Sequence, residues 1–256
     1  DMLIEAGFSG KDINEFCNNL SNYGPITLDE FLESKDNSLQ YRNLAKLAIA
    51  QVLIPYEDEN TLIELQDWYQ KLFEKMKVTV GKFHENKAAF ISFNYDRSLE
   101  QYLFHKLQLS QVGKISECEE AMKKLKFVHV YGKLGDLPWQ NHEGRPYKKT
   151  YTQDELLKAS KGIMTTYEQS QNLEIFENLF RNAKRILFLG FGFDGFNLEQ
   201  LNLLPWINKT KLITGTAFGL RSDKNIATKA YFMKKECKII LKDMKVFNFL
   251  DDVILS

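Results

Sequence analysis

The sequence predicts an α/β protein: a Rossmann-like, mainly parallel sheet with helices on both faces, carrying an N-terminal all-helical insertion layer. Three observations predict it. After Gly81, short apolar runs alternate with helical segments, which requires crossover connections and hence parallel strands. Before Gly81 the apolar residues keep a 3.6-residue period, and no strand pattern interrupts them. Four successive strand-like runs end in glycine or short polar residues, where an open parallel sheet binds its ligands.

The helical layer comes first. Ser9 and Asp12 offer an N-terminal cap, followed by Ile13, Phe16 and Leu20 at helical spacing. Thr27 and Glu30 form a capping-box pattern before Phe31 and Leu32. A longer helix from Leu39 carries Leu44, Leu47, Ala48 and Val52 and stops near Pro55. Thr61 and Glu64 are expected to cap the next helix, whose stripe runs through Leu62, Leu65, Trp68, Tyr69, Leu72, Phe73 and Met76. The expected division is a helical subdomain over 1–80 and a Rossmann-like domain over 81–256.

In the second part, strands are expected over 88–93, 127–131, 185–190, 211–215 and 237–241, with helices between them. Ser116 with Glu119, and Thr152 with Glu155, are expected caps. Residues 133–150 hold Gly, Pro, Trp and His without a period and are expected to form a loop.

Composition sets the outer limits. Lys plus Arg and Asp plus Glu both total 34 in 256 residues, so no net charge draws the chain to nucleic acid or an anionic membrane. Cys17, Cys118 and Cys237 are scattered and form no Cys-x-x-Cys pair, which argues against a zinc ribbon and against a secreted disulfide framework. His84, His105 and His142 show no metal spacing, so no bound metal is expected. No apolar run approaches the ~20 residues of a membrane span, and the first residues do not resemble a signal peptide. A cytoplasmic location is expected, and the oligomeric state stays open, a homo-oligomer included.

The strand ends hold the candidate site. Asn94 and Asp96 lie two apart, able either to hold a carboxamide or ribose or to cap the following helix. His129 and Tyr131 share a strand face, His129 as a general base or as a satisfied core histidine. Gly132 follows directly and admits close backbone approach. Gly190, Phe191 and Gly192 turn from strand to helix, and Gly215 with Thr216 ends the next strand. Asn94, Asp96, His129 and Gly190 are expected to converge on one cleft.

Three segments together resemble the sirtuin-like family, in particular its bacterial and phage-defence members. They are Phe90-Ile-Ser-Phe-Asn94-Tyr-Asp96-Arg-Ser-Leu-Glu100, Val128-His129-Val-Tyr131-Gly132-Lys-Leu-Gly135 and Ile186-Leu-Phe-Leu-Gly190-Phe-Gly192-Phe-Asp194. The resemblance implies that Asn94 and Asp96 position the nicotinamide ribose and carboxamide of NAD. It implies that Gly190 and Gly192 approach ribose and phosphates, with Gly132, Phe191, Gly215 and Thr216 completing the cofactor contacts.

Two departures stand out. The family's base is the histidine directly before the glycine, and that position is Tyr131 here. His129 is the favoured substitute, since an imidazole titrates near ~6.5 and a phenol near ~10. The family's Gly-Ala-Gly-x-Ser loop is absent, and with Asp1 as first residue an upstream strand and loop are expected. The resemblance implies an NAD-consuming hydrolase that releases nicotinamide and ADP-ribose in anti-phage defence. The alternatives are an inactive module that binds an ADP-ribose-type nucleotide or a partner, and an NAD-dependent protein deacylase.

Overall fold

A computed structural model describes residues 2–23, 31, 39–64, 67–76, 80–83, 85–110, 115–164 and 173–252. In chain order the helices before the first strand are α1 (Met2–Glu5), α2 (Gly10–Tyr23), α3 (Leu39–Leu53), α4 (Glu59–Glu64), α5 (Trp68–Lys75) and α6 (Val80–Phe83). Then come β1 (Ala89–Ser92), α7 (Ser98–Ser110), α8 (Ile115–Lys123), β2 (Lys126–His129) and α9 (Gln153–Lys161). The chain continues with α10 (Leu173–Asn182), β3 (Arg185–Phe188), α11 (Gly195–Gln200), β4 (Leu212–Thr216), α12 (Ser222–Met233), β5 (Ile239–Lys242) and α13 (Val246–Asp252).

Local chemistry explains several boundaries. The Ser9 amide donates to Asp12 Oδ2 at 3.2 Å and the Asp12 amide donates to Ser9 Oγ at 3.1 Å, a reciprocal cap at the start of α2. Thr152 and Glu155 make the same exchange ahead of α9, at 3.2 and 2.8 Å. The expected cap at Thr27 and Glu30 falls outside the described residues. Pro55 ends α3 as expected, in a tight 3-10 turn over Ile54–Tyr56. The helix expected from Thr61 is instead two helices. The first starts two residues early, at Glu59. The second is capped by Asp67, whose side chain accepts from the Tyr69 amide at 2.8 Å.

The chain is an α/β protein with parallel strands throughout its described sheets. They form two small sheets in place of the single one expected: β1 beside β2, with Ser92 opposite His129, and a second in the order β3-β4-β5. Among the described residues no strand lies before Ala89. Contacts group the chain into two compact units, residues 1–65 with 79–169, and 66–78 with 170–256.

In the first unit, α3 buries Leu47 and Ala50 against Leu156, Ala159 and Ile163 of the α9 region, while Leu44 and Ala45 pack on Phe16 and Phe31. Each buried Leu, Ile or Phe side chain contributes on the order of 1.5–3 kcal/mol. The irregular 133–150 segment is held by charge. Arg97 is fully buried and pairs with Glu57 through Nε–Oε1 at 2.9 Å and Nη2–Oε2 at 2.6 Å. Its Nη1 donates to the carbonyls of Asp136 and Arg145 at 3.0 and 2.9 Å, and buried Arg145 also donates to Glu57.

In the second unit, Phe188, Ile213 and Ile239 of the three strands are buried together with Phe232 and Phe249.

Candidate functional site

The expected site residues lie in both units, and each set has its own geometry. In the first unit, the chain leaves β1 through a turn fixed by the Asn94 amide donating to Ser92 Oγ at 3.1 Å. The Asn94 side chain is exposed, while its backbone carbonyl points inward to His129 Nδ1 at 2.7 Å. His129 is only 8% exposed, and its Nε2 lies 2.8 Å from Oε1 of Glu100, itself 2% exposed.

A carbonyl can only accept, so Nδ1 of His129 carries a proton. With Glu100 ionised, Nε2 carries one as well, and the ring is an imidazolium. Burial pushes the His129 pKa down, but the Glu100 hydrogen bond and charge, with the Asn94 carbonyl, outweigh it and raise the pKa above its ordinary value. Burial pushes Glu100 up, and the His129 bond and charge, helped by Lys133, bring it below its ordinary value. Both ring nitrogens are thus engaged. The imidazole expected to act as base offers no open lone pair in this arrangement.

Tyr131 is buried, its ring edge-on to Phe93 at 5.8 Å and tilted against Tyr95 at 6.4 Å. Asp96 Oδ1 accepts from the Ser98 amide at 3.1 Å and from its hydroxyl, so this carboxylate caps α7. Gly132 sits at φ +72°, and a Cβ there would meet the Gly162 carbonyl at 2.1 Å. Its glycine is required by the main chain of 162–164 lying against it.

In the second unit, the residues expected to contact cofactor gather at the carboxyl ends of β3 and β4. Gly190 turns at φ +63° and donates its amide to the buried Thr216 hydroxyl at 2.9 Å. Gly192 is exposed, with nothing within 4 Å of a Cβ. Gly215 is there for packing, since its Cβ would meet Phe188 Cβ at 2.9 Å. Asp194 caps α11, accepting from the Phe196 amide at 3.0 Å.

A cavity of about 670 Å³ opens on this edge. Gly190, Phe191, Gly192 and Thr216 line it together with Trp68, Phe218 and Phe247, and its charged members are Asp67 and Lys245. The volume is that of a small-molecule or cofactor pocket, apolar with a few polar groups. Burial raises the Asp67 pKa, against the Tyr69 amide that lowers it.

Asp67 and Trp68 escaped the sequence reading of the site. Trp68 continues the apolar stripe of the preceding helix, and only Asp67 as a cap residue signalled a new element there. Glu100 escaped it too, although it ends the first of the three quoted segments.

No family model, curated protein or solved structure matches the chain. Among the described residues no group of three or more His, Cys, Asp and Glu could hold a metal ion, and no helix is long and apolar enough to cross a membrane. Fold and pocket define the class: an α/β protein with an apolar cavity at the carboxyl ends of parallel strands.

Proposed function

We propose that the chain is an NAD-consuming hydrolase that binds the adenosine portion of NAD in the cavity at the ends of β3 and β4. The observation that carries this reading is that cavity, with Trp68, Phe191, Phe218 and Phe247 as walls for a planar base. Lys245 offers a charge to phosphate, and the open backbone at Gly192 permits close approach. The sequence resemblance supplies the reaction. Water adds to the ribose carbon as its bond to nicotinamide breaks, the bonding pair leaves with the nicotinamide nitrogen, and the added water gives up one proton to solvent. The ribose-positioning role that the resemblance implies falls to Asn94, exposed at the end of β1, and a cytoplasmic anti-phage role belongs to the same proposal.

A second reading, nucleotide binding without cleavage, is favoured by one observation: both nitrogens of His129 are engaged. Incubating the full-length protein with NAD separates the two. Release of nicotinamide and ADP-ribose supports the hydrolase. NAD binding by calorimetry without release supports the binding module, and neither binding nor release overturns both.

A further inference from the structure

We propose that the buried Glu100–His129 pair is a positioning device that sets the Asn94 turn. The inference rests on the reading of Asn94 as the residue that positions the ribose. The chain of contacts is short. Glu100, on the first turns of α7, holds Nε2 of His129 at 2.8 Å, and Nδ1 of the same ring holds the Asn94 carbonyl at 2.7 Å.

The register places this ring at the last residue of β2, opposite Ser92, whose hydroxyl holds the Asn94 amide at 3.1 Å. The backbone of Asn94 is therefore held on both sides, by the amide from β1 and by the carbonyl from β2. Its side chain alone is left facing solvent. A carboxamide that must meet a ribose needs this kind of fixed backbone, because misplacement by about 1 Å can cost 10²-fold in rate.

The tautomer explains what position 100 must supply: a hydrogen-bonding group long enough to reach Nε2. The Asn94 carbonyl requires a proton on Nδ1, and a carboxylate at Nε2 stabilises the ring that carries it. His129 and Glu100 are positioning residues and touch no substrate. Buried this way, the pair contributes orientation of the turn, and the chemistry passes to Asn94.

Two conservative substitutions separate reach from charge. Glu100→Gln keeps the reach: its amide N–H donates to Nε2 of a neutral ring that is still protonated at Nδ1. Glu100→Asp keeps the charge but falls short by one methylene. The expected result in the full-length protein is a kcat for NAD cleavage within about 3-fold of wild type for Glu100→Gln. For Glu100→Asp it is a loss on the order of 10–10²-fold, with KM unchanged. The reverse ranking overturns the proposal, as does equal activity of the two variants.

A second readout does not depend on turnover. The backbone amide resonance of Asn94 should stay in place for Glu100→Gln and move for Glu100→Asp. If wild type cleaves no NAD, the hydrolase reading fails and this resonance alone decides the positioning role. An Asn94 resonance that ignores both substitutions overturns it.

Discussion

Glu57→Gln tests the charge cluster that holds the 133–150 segment. Glu57, Arg97 and Arg145 are 1%, 0% and 2% exposed, and one carboxylate serves both guanidinium groups. The substitution keeps the shape and removes the carboxylate that pairs with both of them. Burial and the neighbouring Arg97 already hold the Arg145 pKa below its usual value, against the pull of Glu57. Without that pull two like charges face each other away from water. Breaking a buried pair in this way costs about 3–5 kcal/mol. For a unit of this size that is a fall in Tm of roughly 6–20 °C. Lys149→Ala, which removes an exposed pair with Asp58 at 2.7 Å, is the control and should change stability by less than about 1 kcal/mol. Thermal unfolding followed by circular dichroism measures both. A Glu57→Gln protein that melts within about 2 °C of wild type would show that the cluster is hydrated or repacks, and the reasoning would fail.

The Glu100–His129 pair makes stability depend on pH. His129 is raised from 6.5 in the folded state, so its contribution is complete below that value and fades as pH rises through the folded pKa. Glu100 is lowered from 4.5, so its contribution is present above that value and fades as pH falls through its folded pKa. Melting temperature should therefore decline on the alkaline side, and Glu100→Gln should flatten that decline; an unchanged alkaline slope would sink the assignment. Trp68→Ala should weaken binding of ADP-ribose by about 5- to 150-fold in a calorimeter, the worth of one base–aromatic stack. Equal affinity would remove Trp68 from the site. Asn94→Ala should cut NAD cleavage on the order of 10²-fold while leaving Tm within about 1 °C, because the side chain is exposed. A lowered Tm with full activity would mark Asn94 as structural.

The strands were legible because their apolar runs are short, dense and bounded by glycine. The run expected over 127–131 is in fact a strand over Lys126–His129, and Tyr131 has already left the ladder, turning into Gly132. The caps at Ser9 and Thr152 were legible because both partners lie within four residues. Asp67 was hidden by phase: Trp68, Leu72 and Met76 follow Leu62 and Leu65 at helical intervals, so the break leaves no trace in the period. Glu57, Arg97 and Arg145 are far apart in the chain, and no local pattern joins charges that meet only through the fold. The dual bonding of His129 was hidden for the same reason, since Glu100 lies on a helix and Asn94 on a turn.

The close approach at Gly132 has a consequence for how this chain can change over time. A Cβ on Gly132 would strike the Gly162 carbonyl at 2.1 Å, and a Cβ on Gly162 would strike the Lys133 carbonyl at 2.4 Å and the Gly135 amide nitrogen at 2.8 Å. Both collisions are with main chain, so trimming a neighbouring side chain relieves neither. The two positions are therefore constrained by the same close approach. In descendants that keep the 162–164 segment against the end of β2, both stay glycine. Where Gly162 is replaced, the two segments must have moved apart, and Gly132 is then held to glycine by its φ of +72° alone.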